Sequence, residues 1–264
     1  MKNPLPEIIF QCMTLLISAT IIHAIYSAQI RPQANAIIAE QQIQIDSGIE
    51  FNASPSILVI IKDYEQEVCF VLMLWAITII GFKFKETLRQ RNYLKSSLIN
   101  VMPGVRILPE DSWQYSRPIQ ALNASAGNDH IPRTLLTALQ RFGMTEKILD
   151  VSQVIKDMCE TEAERLDSQL STIRYIVWAI PSVGFIGTVR GISQALGQAH
   201  KAVNGDISGV TANLGIAFNS TFVALVISLL IMLLLHQLQR VQEQFVLDSQ
   251  QHCEANLTRH LANK

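Results

Sequence analysis

Glycines and one threonine recur at helical spacing in an apolar segment, residues 180–192. Successive residues of a helix are about 100° apart, so these small residues fall on one face. Glycine lowers helix propensity, which indicates that another backbone or a partner approaches this face closely. We call this face the first small-residue stripe; its members are Gly184, Gly187, Thr188, Gly191 and Ala195. Thr188 supplies its only hydroxyl, a group that can contact an ion or a neighbouring helix.

A second small-residue stripe repeats the same offsets in the last apolar segment. Its members are Ala217, Ser220, Thr221, Ala224 and Ser228. One interpretation is ordinary close helix packing, in which Ser and Thr hydroxyls bond to carbonyls of their own helix. The other is a polar track that faces a pore or a partner helix. The stripes alone leave both interpretations open.

Two further polar residues lie in these segments. Asn219 falls on roughly the opposite side of its helix from the second stripe, where its amide would bond another helix or contact an ion. Arg190 lies beside the first stripe, and an arginine within a membrane is costly by at least ~2.5–3.5 kcal/mol. It would either extend towards the membrane surface or face a carboxylate. Because no predicted span has an interior Asp or Glu, we expect such a carboxylate on another chain.

Four apolar segments are long enough to position these residues in a membrane. The chain has 264 residues, of which 49% are hydrophobic and 16% charged, a composition typical of membrane proteins. The predicted transmembrane helices are residues 1–28, 68–84, 173–197 and 211–236. The first has a longer apolar run than a usual signal peptide, so we expect a retained helix. His23 within it is expected to pack against or bond a neighbouring helix.

Basic residues predict the orientation of these spans. Of the 21 Lys and Arg residues, 12 lie between Lys83 and Arg165. The positive-inside rule therefore places residues 85–172 in the cytoplasm, together with both termini. Residues 29–67 and 198–210 are expected to be external, with residues 29–55 forming a short helix or loop.

The cytoplasmic region is predicted to be irregular first and helical later. Pro and Gly residues between 103 and 133 indicate turns and loops. From about residue 144 the pattern predicts one helix that continues into the third span, where Pro181 could kink it. An amphipathic helix over residues 237–264 is expected to bundle with residues 144–172. The predicted fold is therefore an all-α membrane protein with four transmembrane helices and long cytoplasmic helical extensions.

Several function classes are disfavoured by the residue content. The net charge of −1 gives no attraction to nucleic acid, and four widely spaced cysteines suggest neither a disulfide framework nor a zinc site. No arrangement typical of a nucleophile, metal site or phosphate-binding loop is present. We expect no enzymatic activity, no catalytic residues, no bound metal and no cofactor.

The segment Pro181-Ser182-Val183-Gly184-Phe185-Ile186-Gly187-Thr188-Val189-Arg190-Gly191-Ile192 resembles the P-x-x-G-L-x-G-T-V-x-G-[IM] signature of the MotA/TolQ/ExbB proton-channel family. Residues 209–225 are similar to the last span of that family, and the resemblance covers about residues 144–245. Arg190 departs from the pattern, since an aromatic or apolar residue is common there.

The resemblance implies an A-type stator subunit of an ion-driven motor in the bacterial inner membrane. Such subunits form a homopentamer around a dimer of single-span B-type partners of the MotB/TolR/ExbD kind. An Asp of the partner carries the ion, H⁺ or alternatively Na⁺, and the proton motive force drives mechanical work in the cell envelope. Carried over to this chain, the ion path includes Thr188 and either Ser220 or Thr221, with Asn219 and Arg190 as further candidates. A non-conducting membrane scaffold or sensor is the main alternative, and a small-molecule transporter is another.

Overall fold

Helices account for the regular structure of the chain in a computed structural model, which describes residues 5–46, 56–95, 98–99, 105–125 and 129–262. Within these ranges the only strand-like contact is an isolated parallel bridge between Ile107 and Leu261. The predicted all-α class is confirmed.

The described residues form ten α-helices, with short 3₁₀ or π turns between or after some of them. They are α1 (Leu5–Ile25), α2 (Arg31–Asp46), α3 (Ile57–Ile60), α4 (Tyr64–Arg91), α5 (Ser112–Ser125), α6 (His130–Thr145), α7 (Ile148–Ser168), α8 (Ser171–Gly197), α9 (Ala199–Val203) and α10 (Ser208–Asn256). The π turn is Tyr26–Ile30, and the 3₁₀ turns are Asn92–Lys95, Pro109–Asp111 and Thr258–His260.

Four helical stretches in the described residues are long and apolar enough to cross a membrane. They are Glu7–Gln41, Tyr64–Lys95, Ile148–Gly197 and Ser208–His260, and each overlaps one of the predicted spans. Large apolar side chains on them are exposed, such as Leu16 at 64% and Leu229 at 69%. Such exposure fits contact with lipid or with other membrane helices. The chain is a multi-pass membrane protein.

The first helix is longer than predicted. A single π turn joins α1 to α2, so the helical backbone continues to Asp46. Most of residues 29–46, expected as a short helix or loop, therefore extend the first helix. The rest of that expectation, at residues 47–55, lies outside the described residues.

The prediction of loops between residues 103 and 133 is wrong for most of the segment. Two helices, α5 and α6, occupy much of it. The prolines are compatible with them: Pro109 begins a 3₁₀ turn, and Pro132 lies in the first turn of α6, where no backbone N–H is needed. Pro118 lies inside α5. Helix thus begins well before the predicted residue 144.

The helix predicted from residue 144 into the third span is divided. Glu146 has a left-handed φ of 55° and ends α6, while a turn at Gln169 and Leu170 separates α7 from α8. Pro181 lies inside α8 without dividing it, since α8 continues from Ser171 to Gly197.

The chain forms two compact units. The first contains residues 1–80 and 172–235, and the second contains residues 81–171 and 236–264. In the first unit, the Trp75 indole donates to the Gln11 carbonyl oxygen at 3.0 Å and joins α4 to α1. Cys69 of α4 is fully buried, and its Sγ lies 3.8 Å from the Ile180 carbonyl oxygen of α8.

The second unit has its own apolar core. Side chains from α5, α6, α7 and the end of α10 meet there; they include Ile119, Leu135, Leu139, Phe142, Val151, Ile155, Phe245 and Cys253. The predicted bundling of the C-terminal helix with residues 144–172 is therefore present.

A buried polar cluster accompanies this core. The His130 imidazole is 1% exposed and lies 3.9 Å from a Glu162 carboxylate oxygen and 3.6 Å from Cys159 Sγ. Arg165 donates to Glu162 at 2.5 and 2.8 Å, and Arg133 lies 3.5 Å from it. Burial lowers the pKa of His130 to about 4, because desolvation penalises the imidazolium more than Glu162 favours it.

Candidate ion path

The two small-residue stripes pack directly against each other in the first unit. A Cβ built on Gly184 would lie 2.5 Å from the Ala224 Cβ, and one on Gly187 would lie 2.6 Å from the Ser220 Cβ. A Cβ built on Gly191 would lie 2.8 Å from both the Cβ and the backbone nitrogen of Ala217. Non-bonded carbon atoms do not lie this close in proteins. The close approach of α8 and α10 therefore requires glycine at these three positions.

Thr188 and Thr221 meet at this contact. Their side-chain hydroxyls are within hydrogen-bond reach of each other, and each lies 3.2 Å from the Gly184 carbonyl oxygen. The Thr188 hydroxyl is also 3.5 Å from the Ala217 carbonyl oxygen. Each hydroxyl has one proton and several acceptors, so the direction of donation can switch without any movement of the helices. Both side chains are half-buried.

Ser220 has different partners from its neighbour. Its hydroxyl donates to the Ile216 carbonyl oxygen at 2.9 Å and accepts from the Gln66 side-chain amide at 3.4 Å. Gln66 is fully buried and also donates to the Ile60 carbonyl oxygen at 3.1 Å. Gln66 was not predicted as a site residue, because residues 29–67 were expected to be external. Its position between two glutamates, directly before the second predicted span, is the sequence feature that could have indicated a polar contact there.

The remaining stripe residues continue the same interface. Ala217 and Ala224 are fully buried and Ala195 is 3% exposed. Ser228 donates across the interface to the Val177 carbonyl oxygen at 3.0 Å. This hydrogen bond links α10 to α8.

Asn219 lies away from this contact. Its side chain is half-buried, and its amide makes no hydrogen bond within the part of the chain that the structure describes. An interhelical partner for Asn219 stays a prediction.

Arg190 pairs with a carboxylate of its own chain. Its Nη2 lies 2.8 Å from Glu65 Oε2, and the two side chains are 35% and 11% exposed. The expectation that the partner would come from another chain is therefore wrong. The second membrane helix begins at Tyr64 rather than near residue 68, which brings Glu65 into its first turn. Arg190 lies seven residues before the end of α8, about 10 Å along the axis, within reach of a residue at the start of α4.

Glu67 forms a second ion-pair cluster in the same turn of α4. Arg31 contacts one of its carboxylate oxygens, and His23 Nδ1 lies 2.7 Å from the other. The Arg31 guanidinium also lies 4.1 Å from the centre of the Tyr64 ring, a cation–π contact. His23 thus bonds a neighbouring helix, as expected, and both glutamates of this turn have cationic partners.

A metal site is not found among the described residues, where no group of three or more His, Cys, Asp or Glu side chains is arranged to hold an ion. The contact between α8 and α10 contains hydroxyl, amide and carbonyl groups, and the ion pairs of Glu65 and Glu67 lie at the start of α4.

Comparison with known proteins agrees with this arrangement. Residues 127–251 match the model of the MotA/TolQ/ExbB proton channel family, and the match includes α8 and most of α10, with both threonines. The region that carries the two stripes belongs to this family, which confirms the resemblance. No curated protein and no solved structure matches the chain. The match supports a subunit of the proton-channel type.

Proposed function

We propose that this chain is the ion-conducting A-type subunit of a membrane motor. It would act with a B-type partner whose single span carries an Asp. The proton motive force would drive rotation of one component relative to the other, and so mechanical work in the cell envelope. Its membrane would be the bacterial inner membrane, with both termini cytoplasmic.

The contact between Thr188 and Thr221 carries this proposal. Two half-buried hydroxyls share the Gly184 carbonyl oxygen at the meeting point of α8 and α10. Switchable hydroxyls beside a carboxylate can receive and return a proton as the carboxylate titrates. This pair has the composition expected of such a contact.

The carboxylate itself must come from elsewhere. Helix α8 has no Asp or Glu, and α10 has none before Glu243. At the start of α4, Glu65 and Glu67 are already paired with Arg190 and Arg31. An unpaired membrane carboxylate on a partner fits this distribution.

Assembly into a homopentamer around a partner dimer would cover the apolar faces that one chain leaves exposed. Phe185 and Val189 of α8, and Phe218 and Phe222 of α10, are at least half exposed. Five subunits around two helices cannot match in symmetry, so several rotational positions have nearly equal energy. Protonating one partner Asp removes a charge that is expensive in lipid and changes which position is preferred.

Proton flux in vesicles tests the proposal directly. The chain is reconstituted with its single-span partner, and flux is followed with an internal pH dye. We expect the double variant Thr188→Val/Thr221→Val to reduce flux at least tenfold. The control Thr78→Val removes a membrane hydroxyl that bonds only the Leu74 carbonyl oxygen of its own helix, and it should leave flux unchanged. Flux that survives the double variant would overturn the proposal.

A non-conducting scaffold or sensor subunit is the second candidate. It is favoured by the packing of the two stripes within one chain, since each hydroxyl already has a carbonyl acceptor there. This function predicts assembly with the partner but no flux in the wild-type chain.

A further inference from the structure

The second unit contains a large groove lined by cationic side chains. Its volume is about 1050 Å³, and it lies between the end of α4 with its following 3₁₀ turn and the last part of α10. The cationic residues that line it are Lys85, Arg89, Arg91 and Lys95, and Asp248 is the one carboxylate among the lining residues.

Two of these cations already have carboxylate partners. Arg89 contacts Glu86 and Asp129, each at 2.7 Å. Arg91 lies 2.9 Å from Asp248. Lys85 and Lys95 are exposed, and neither forms an ion pair within the residues that the structure describes. The groove therefore keeps about two positive charges that its own acids do not balance.

Position along α4 relates the groove to the membrane. Lys85 directly follows the predicted second span, 68–84, and the helix continues to Arg91. Six residues of helix advance about 9 Å, which is close to the depth of the headgroup layer of one leaflet, about 5–8 Å. Lys85 therefore lies at about the level of the lipid phosphates, and Lys95, ten residues further along the chain, lies beyond that level on the aqueous side.

Apolar side chains line the same groove. Leu88, 43% exposed, and Leu94 lie between the cationic residues, and Ala255 lies on the α10 side. A soluble anion gains nothing from these surfaces, whereas the glycerol and upper acyl carbons of a phospholipid do.

We propose that this groove binds the headgroup of an acidic phospholipid, with Lys85 contacting the phosphodiester and Lys95 contacting the headgroup on its aqueous side. Basic pockets at the membrane surface attract anionic headgroups, and each lysine near such a surface strengthens binding by a factor of about five. Bound lipid would fix the end of α4 against α10. This inference goes beyond ion conduction and holds for a conducting or a non-conducting subunit.

Native mass spectrometry of the full chain in nonionic detergent tests it. Phosphatidylglycerol, phosphatidylethanolamine and inorganic phosphate are added in separate titrations. We expect retention of phosphatidylglycerol over phosphatidylethanolamine, and about 30-fold weaker binding by Lys85→Gln/Lys95→Gln. The control Lys147→Gln removes an exposed lysine outside the groove and should bind like the wild type.

Specific outcomes overturn the proposal. Equal retention of the two lipids would do so, as would equal loss in the control. Inorganic phosphate binding as tightly as phosphatidylglycerol would instead identify a site for a soluble anion. If the double variant fails to fold, the wild type at rising salt decides: phosphatidylglycerol binding that does not weaken contradicts a charge-based site.

Discussion

Arg190 of α8 and Glu65 of α4 form an ion pair in which Nη2 and Oε2 lie 2.8 Å apart. The glutamate is largely buried, with 11% of its side chain exposed, whereas the arginine is 35% exposed. The pair therefore holds the signature helix to the start of the second membrane helix. Glu65 has no second ion-pair partner among the described residues.

Removing Arg190 alone should therefore destabilise the chain. Arg190→Gln leaves the Glu65 charge largely buried and unpaired, and we expect a loss of about 1–3 kcal/mol, reduced from the value for fully buried pairs because Arg190 is partly exposed. The double variant Arg190→Gln/Glu65→Gln should recover much of this loss. The measurement is thermal unfolding in detergent of the two single variants and the double variant. Additive effects of the two substitutions would show that the pair contributes no coupling energy.

The contact between the stripes predicts that a Gly→Ala substitution destabilises the chain at glycines in the contact and not at a glycine outside it. Gly184→Ala and Gly191→Ala place a methyl group against α10 and should cost about 1–3 kcal/mol. Gly215→Ala, on α10 itself, meets nothing within 4 Å and should be neutral or stabilise by up to about 1 kcal/mol. Unfolding midpoints compare the three variants. Equal tolerance at all three positions would contradict the close packing.

Sequence patterns correctly predicted four long apolar helices that could cross a membrane. Runs of some twenty apolar residues identify membrane helices, whatever they pack against. Helices α5 and α6 were not predicted, because a count of Pro and Gly residues does not show where in a helix each proline would lie. Pro132 lies in a first turn, where it is tolerated, and nothing local distinguishes it from a proline in a loop.

The candidate path was predicted in part for a related reason. Helical offsets placed Thr188 and the two alternatives Ser220 and Thr221 on stripes, since these depend only on spacing. Which side chains pair across helices depends on the tertiary fold. The contacts of Arg190 with Glu65 and of Ser220 with Gln66 join residues far apart in sequence, so helical spacing could not predict them. Helix α4 begins four residues earlier than predicted, and both contacts depend on this because Glu65 and Gln66 lie in its first turn.

The geometry also predicts which of two adjacent residues is equivalent to the family's last-span threonine. Thr221 contacts Thr188, whereas the Ser220 hydroxyl bonds Ile216 and Gln66. We expect Thr221→Val to reduce proton flux about as much as Thr188→Val, and the double variant to add little, because one shared contact is lost. Ser220→Ala should have a smaller effect. A larger effect of Ser220→Ala than of Thr221→Val in the vesicle assay would reverse the assignment.

Acidification should destabilise the second unit through His130. The pKa of this buried imidazole is about 4 in the folded chain, against 6.5 for the unperturbed group. As the pH falls below about 6.5, the unfolded chain binds a proton that the folded chain does not, so stability falls until about pH 4. Between about pH 7 and about pH 5 the loss should be about 2 kcal/mol. His130→Asn should lack this component, whereas His200→Asn, at an exposed site, should keep it. Unfolding midpoints at both pH values measure the difference; the same pH dependence in all three chains would contradict the role of His130.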